Sequence, residues 1–269
     1  MSRTGLRGKV YLVGAGPGDP ELLTLRAAKL LTQGEVVLFD SLVSKEVLEL
    51  ISHDAFLVDV GKRAGKKLLT QEEISSLLVS YAKQGKIVIR LKGGDPLLFG
   101  RAGEEMEALR RASIDFEVVP GITAAVGAAA AARISLTDRR VASQVLFTTF
   151  SRGDHGNLLN WAAITPETAI AIYMPGAHYG EVAARLMENG LAPETPCVVV
   201  SHATRAEQQM RWCTLAELSD EDQLPAPSLL LVGQIATHDV ERWSGRWPSQ
   251  LFLPDASDNL QASKANQRQ

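Results

Sequence analysis

The chain has 269 residues, 45% of them apolar and 22% charged. That is ordinary globular composition, ruling out a disordered or fibrous chain, and the length gives about 1.8 domains as a prior. Lys and Arg number 28 against 31 Asp and Glu, a net charge of -3, so there is no broad basic field for nucleic acid. Two cysteines, Cys197 and Cys213, make neither a disulfide scaffold nor a four-ligand metal site, and they fit a reducing, cytoplasmic compartment.

The N-terminal segment has no long apolar run before its glycines and does not read as a signal peptide. The most apolar stretch, Ile122 to Ala132, is too short and too rich in small residues for a membrane helix. In chain order, Val10 to Val13 reads as a strand that empties into Gly14-Ala15-Gly16-Pro17-Gly18. Asp19 or Thr24 can cap the helix Leu25 to Leu31. Val36 to Phe39 is a strand, Leu42 to Ile51 has helical period, and Ala55 to Val60 is a strand. Ile74, Leu77, Leu78 and Tyr81 give Gln71 to Ala82 a helix spacing. Ile87 to Leu91 is a strand, Ala102 to Arg110 a helix, and Phe116 to Val119 a strand closed by Pro120-Gly121. This alternation predicts an α/β domain with a mostly parallel sheet over residues 1–120.

A second α/β domain is expected over 121–240. It opens with the alanine-rich helix Thr123 to Ala132, whose small side chains imply close packing against a ligand or another helix. Strands follow at Val145 to Thr149, Ala169 to Tyr173, Cys197 to Val200, Gln209 to Thr214 and Leu229 to Val232, with a helix at Glu181 to Glu188. The third and fourth of these strands suggest a hairpin in a mixed sheet. Beyond about 240 the pattern fades. Trp243, Trp247, Leu251 and Phe252 are expected to dock part of the 241–269 tail, and the polar residues 261–269 to be disordered.

The first glycine loop has the outline of a dinucleotide site, with Asp40 at the end of the second strand to hold a ribose. The detail is wrong for it. Asp19 stands where the third glycine belongs, and Pro17 removes an amide donor from the loop that would face a pyrophosphate. In Arg90-Leu91-Lys92-Gly93-Gly94-Asp95-Pro96, a strand ends in paired glycines that permit close backbone approach, followed by a carboxylate. Asp95 suits a ribose or an amine and repels phosphate. Together the two loops point to a nucleoside ligand without phosphates, bound at the carboxyl ends of central strands.

The segments 10–28 (VYLVGAGPGDPELLTLRAA), 36–44 (VVLFDSLVS), 60–65 (VGKRAG), 90–105 (RLKGGDPLLFGRAGEE), 118–130 (VVPGITAAVGAAA), 172–176 (IYMPG) and 225–235 (PAPSLLLVGQI) closely resemble the uroporphyrinogen-III C-methyltransferases of the tetrapyrrole methylase family. The resemblance implies two α/β domains with the active-site cleft between them, a homodimer, and S-adenosyl-L-methionine as methyl donor. It implies methylation of C2 and C7 of uroporphyrinogen III to precorrin-2 via precorrin-1, toward sirohaem, cobalamin or haem d1. Some relatives carry a fused dehydrogenase/chelatase domain, for which a chain of this length is not expected to have room.

Carried over by motif, Pro17 resembles the proline walling the cofactor site. Gly93, Gly94 and Asp95 resemble its central contacts, and Leu98, Thr123, Ala124, Met174 and Ala203 the remaining ones. Asp40 resembles the proton acceptor and Lys62 the proton donor. In some relatives an arginine matching Arg101, beside Glu104, is instead taken as the base. An arginine is a weak base because its pKa exceeds 12, so Arg101 is read as a clamp for substrate carboxylates, oriented by Glu104. Further cations for an eight-carboxylate substrate are Lys62, Arg63, Lys66 and Lys67 in one loop, and Arg133, Arg139, Arg140 and Arg152. No metal is expected, and neither a membrane nor nucleic acid as partner.

Departures from the family pattern fall mainly in the second half. The tract 148–156 (TTFSRGDHG) stands where Thr-Gly-His is usual, and Asp138 replaces a histidine. Pro175 precedes Gly176, and Ala203 stands where glycine is frequent. Two other functions compete with the favoured one. One is methylation of a later corrinoid intermediate such as precorrin-2 at C20, which the intact VGKR and RLKGGDPLLFGR segments oppose. The other is a nicotinamide-dependent oxidoreductase, which Asp19 opposes.

Overall fold

The architecture comes from a computed structural model that describes residues 8–63, 66, 67, 69–150, 164–220 and 223–237, without the side chains of 62, 63, 66 and 67. Arg152 and the expected tail docking and disorder lie outside the described residues. Contacts gather Met1–His238 into one unit and Asp239–Gln269 into a second. Among the described residues no helix is long and apolar enough to cross a membrane.

The first sheet contains β1 (Lys9–Gly14), β2 (Val36–Phe39), β3 (Phe56–Asp59), β6 (Ile87–Lys92) and β7 (Asp115–Val119), in the order β3-β2-β6-β1-β7. Every pairing in it is parallel. Parallel strands covered on both faces need continuous apolar runs, which VYLV, VVLF and IVI supply. One face, carrying Val13, Val37, Ile89 and Leu91, packs on α1 (Leu25–Leu31) and α2 (Lys45–Leu48). The other, carrying Val10, Leu12, Leu38 and Val88, packs on α3 (Gln71–Lys83) and α4 (Ala102–Arg111). Thus the connections leaving the adjacent strands β1 and β6 turn to opposite faces. All five strands end at the same edge, and a crevice opens there between those two.

Three local expectations are revised. Asp19 and Thr24 both cap, Asp19 a single 3-10 turn (Pro20–Leu22) and Thr24 the helix α1. The segment Leu42 to Ile51 keeps only one helical turn. The Asp40 carboxylate takes the Leu42 amide at 3.0 Å, and Ser44 stays extended to cap Val47, so the helix cannot begin before Lys45. Lys62 to Lys67 is a two-stranded ribbon, β4 (Lys62–Arg63) against β5 (Lys66–Lys67), where a loop was expected.

The second sheet contains β8 (Gln144–Thr149), β9 (Thr168–Tyr173), β10 (Pro196–Ser201), β11 (Gln209–Thr214) and β12 (Ser228–Val232), in the order β11-β10-β12-β9-β8. It is mixed, as expected: β8 and β9 are parallel and the rest antiparallel. One face packs on α6 (Tyr179–Glu188) and the other on α5 (Ala124–Ala132). Among the described residues, α5 packs closely on this sheet and on the Pro17 ring, which lies where a Cβ on Gly127 would meet it at 2.8 Å.

The helix α3 starts in a complete capping box. The Thr70 hydroxyl accepts from the Glu73 amide at 3.2 Å, and the Glu73 carboxylate accepts from the Thr70 amide at 2.6 Å. Thr70→Ala is expected to lower stability by about 1 kcal/mol, or roughly 2–4 °C in Tm. A thermal melt checks this, and an unchanged Tm would mean that the box is redundant with the packing of Ile74 and Leu78.

Candidate active site

The site begins where three strand-end loops meet backbone to backbone. Gly14 ends β1, Gly94 follows β6 and Gly121 follows β7. A Cβ on Gly14 would stand 2.6 Å from the Gly121 Cα and 2.7 Å from the Gly94 carbonyl oxygen, and one on Gly121 would strike the same carbonyl. Gly16 and Gly94 pair as an antiparallel bridge, each amide donating to the other's carbonyl at 3.2 and 2.8 Å. Both adopt a φ of 69°, in the left-handed region that favours glycine. Asp95 ties the junction: its Oδ2 accepts from the Gly121 amide at 2.9 Å, and its Oδ1 from the Leu97 amide at 2.8 Å. Thr123 and Ala124 lie next to Gly94.

Tyr173, at the end of β9, fixes that corner from the second sheet. Its hydroxyl lies 2.6 Å from the Thr123 hydroxyl and accepts from the Ala125 amide at 3.1 Å. Its ring packs on Phe99 at 4.9 Å between centroids. Burial pushes its phenol above the ordinary value, which keeps the hydroxyl protonated. Met174, the next residue, is exposed and left-handed at a φ of 51°. Phe99, Arg101, His202 and Thr204 also have positive φ. Strained backbone of this kind gathers at ligand sites.

The loop 202–208 between β10 and β11 reaches back to the first glycine loop. The Asp19 amide donates to the Thr204 hydroxyl at 3.2 Å, and the Arg205 side chain covers Gly18 and donates to the Leu42 carbonyl at 2.5 Å. Ala203, which precedes Thr204, is half-buried against the core of the second sheet. The Asp19 carboxylate itself turns away to cap the Glu21 amide at 2.9 Å.

Asp40, at the end of β2, accepts from the Gly93 amide at 3.4 Å on both oxygens and stands 3.9 Å from the Arg90 guanidinium. Beneath it lies a charged cluster that the sequence reading did not single out. Glu105 on α4 is fully buried and accepts from Arg90 Nε, Lys92 Nζ and Gln71 Nε2, each at 3.0 Å. Burial, and then the Arg90 charge, push the Lys92 ammonium below its ordinary value against the pull of Glu105. The signal was present: two cations two residues apart on an apolar strand share one face and need a buried counter-charge.

Arg101 and Glu104 form the expected pair, two-pronged at 2.7 Å on each arm. The Glu104 bond holds the Arg101 guanidinium above its usual pKa, and its side chain is 51% exposed. Lys62 sits on the ribbon backbone, and its side chain lies outside the described residues. Arg140 is engaged by Asp138, whose carboxyl it draws down to about 2. Among the described residues no group of three or more His, Cys, Asp or Glu could hold a metal. Pro17, Gly93, Gly94, Asp95, Thr123, Ala124 and Asp40 are thus linked by contacts and hydrogen bonds at one edge. Leu98 and Met174 flank it in sequence.

Glu105→Ala leaves two buried cations facing each other, and should lower the unfolding free energy by about 3–5 kcal/mol. Glu104→Ala, on the exposed pair, should cost under about 1 kcal/mol. Urea melts of the two variants test this, and equal losses would deny the buried cluster any special weight.

A model of the tetrapyrrole (corrin/porphyrin) methylases matches residues 9–219. A siroheme synthase of Photorhabdus laumondii is 45% identical over 249 residues, covering 91% of this chain and 53% of that protein. The chain therefore spans about half the length of the curated relatives it matches. The uroporphyrin-III C-methyl transferase of Thermus thermophilus, solved with S-adenyl homocysteine, superposes with a TM-score of 0.74 at 35% identity over 85% of this chain and 98% of that one. A cobalt precorrin-4 methyltransferase gives a TM-score of 0.77 at 30% identity over 86% and 96%. On the family match, the identities and the shared architecture, the chain belongs to the tetrapyrrole methylase family.

Proposed function

We propose that the chain transfers two methyl groups from S-adenosyl-L-methionine to C2 and C7 of uroporphyrinogen III, giving precorrin-2 through precorrin-1. As a member of its family it is an S-adenosylmethionine-dependent C-methyltransferase. The observation that carries the acceptor is identity: 45% to a siroheme synthase and 35% to a uroporphyrin-III enzyme, against 30% to a precorrin-4 enzyme. Fold likeness does not separate the acceptors, since the TM-scores are 0.74 and 0.77.

The site's chemistry fits the donor. The bare backbone of the two glycine loops, left-handed at Gly16 and Gly94, lets a flat nucleoside approach closely. Asp95 favours a ligand that is cationic and free of phosphate. In this reading Pro17, Gly93, Gly94, Asp95, Leu98, Thr123, Ala124, Met174 and Ala203 hold the donor, with residues 1–120 supplying the glycine loops and 121–240 the remaining contacts. When bound, the donor supplies an activated methyl on its sulfonium.

The chain's own residues then align the acceptor and manage its charge. Asp40, fixed by the Gly93 and Leu42 amides, stabilises the positive charge that grows on the attacked pyrrole and takes the proton afterwards. Lys62 serves as proton donor. Arg101, held protonated by Glu104, clamps an acceptor carboxylate and is not the base. The ribbon 62–67 offers further cations. The active form is read as a homodimer, so sedimentation should give twice 29.1 kDa.

An anaerobic assay with both substrates, read by mass spectrometry after oxidation, should show two added methyl groups. None, with the donor still bound, would move the acceptor to a later corrinoid. Arg101→Lys should weaken uroporphyrinogen binding by roughly ten- to hundredfold, the worth of about 1.5–3 kcal/mol for a charged hydrogen bond. A collapse of the single-turnover rate at unchanged Kd would overturn the clamp. Asp40→Asn should cut kcat by about a hundredfold or more with donor affinity nearly intact, and an unaltered kcat would remove Asp40 from the proton transfer.

A further inference from the structure

The second sheet holds a pair of thiols that the methyl transfer does not use. Cys197 on β10 and Cys213 on β11 are directly opposite in the antiparallel register, and their Sγ atoms are 3.3 Å apart. The Leu215 amide donates to the Thr195 carbonyl at 3.0 Å, which makes those two a hydrogen-bonded pair. The cysteine pair, two steps along the ladder, is of the same kind, with Cα atoms about 5.5 Å apart. Disulfides span Cα separations of roughly 4.4–6.8 Å, so a bond between the two sulfurs needs side-chain rotation and no strand movement.

The two sulfurs differ in access. Cys197 is fully buried among Val199, Leu186 and Leu215. Cys213 is partly exposed and sits on β11, an edge strand, so an oxidant from solvent meets it first. Either thiol can donate across the pair; the shared hydrogen bond, aided by the Arg211 charge, draws the Cys213 thiol down against its burial, while the same bond and burial push Cys197 up. A thiolate is the nucleophile in thiol oxidation.

We propose that Cys197 and Cys213 form a reversible dithiol/disulfide site, oxidised by a peroxide through Cys213. The Cys213 sulfur attacks one peroxide oxygen, the O–O bond breaks, and the departing oxygen leaves with a proton as water. The Cys197 sulfur then attacks the Cys213 sulfenic acid, the S–S bond forms, and the second oxygen leaves with the remaining proton as water. Two thiols lose two electrons in all, and one peroxide becomes two waters. The closed ring spans 197–213 and so contains Ala203, Thr204 and Arg205, the loop that touches Asp19 and Leu42.

The test treats the full chain with hydrogen peroxide, then unfolds it with an alkylating agent present and measures intact mass. The expected monomer has lost two hydrogens, takes up no alkyl group and regains both thiols with dithiothreitol. A linked peptide pair should map to the two cysteines. After peroxide, Cys213→Ser should keep one alkylatable thiol and lose no hydrogens, Cys197→Ala should lose no hydrogens and retain oxygen on the unresolved Cys213, and Cys213→Ser under reducing conditions should methylate at the wild-type rate. Oxygen atoms retained on Cys213 with Cys197 still alkylated, disulfides between chains, or no change of mass would each overturn the site.

Discussion

The structure turns on one constraint: three strand-end loops of the first sheet meet backbone to backbone at glycines. A Cβ on Gly14 or on Gly121 would strike the other glycine and the Gly94 carbonyl oxygen, and Gly94 itself is left-handed at a φ of 69°. Given that contact, the β6 loop and the β7 loop are brought to the β1 loop with no free parameter, and Asp95 can reach the Gly121 amide. Thr123 and α5 then begin at a fixed point above the sheet. The Pro17 ring meets α5 at Gly127, so the same loop that starts the junction also seats the second sheet's helix. A carbon added at Gly14 or Gly121 would push apart backbone, which cannot swing aside as a side chain does, and one at Gly94 would strain its left-handed φ.

The junction needs support from below, and a buried charge cluster supplies it. Arg90 and Lys92 lie on the strand that ends in Gly93-Gly94, and α4 brings Glu105 between them. Two cations on one carboxylate leave an excess of positive charge. Asp40, 3.9 Å from Arg90, faces that excess, and Gln71 completes the partners of Glu105. Buried ion clusters add little net stability compared with apolar packing. Their value here is orientation: Arg90 also donates to the Leu91 carbonyl at 3.0 Å, which fixes the strand end beside the carboxylate at the mouth.

Much of this was legible in the sequence, for identifiable reasons. Strands such as Val36–Phe39 and helices such as Leu25–Leu31 have unambiguous periods and caps, and they occur where expected. The glycine runs signalled close backbone approach, and Asp95 signalled a non-phosphate ligand. What escaped depended on pairing across the chain. Leu42 to Ile51 has helical spacing, yet the Asp40 side chain captures the Leu42 amide and delays the helix to Lys45. Tyr173 stood in a motif noted for Met174, and its hydroxyl bond to Thr123 joins residues fifty apart. Glu105 read as one more acid on an amphipathic helix, because its burial follows from α4 packing directly over Arg90 and Lys92.

The second sheet contributes by latching rather than by supplying the floor. Thr204 and Arg205 on one loop, and Tyr173 on another, reach residues of the first glycine loop, the β2–α2 turn and the start of α5. Each contact uses a polar side chain against a backbone group or hydroxyl, so each can be broken and remade without exposing a core. The floor, by contrast, is backbone on backbone and must be rigid. Two residues read as departures from the family pattern, Ala203 and Pro175, lie on this latching side. A latch tolerates Ala203 in place of glycine or Pro175 before Gly176, provided the loop ends stay near their partners. The junction tolerates no such change, because Gly14 and Gly121 fill each other's side-chain volume and Gly94 holds a left-handed φ.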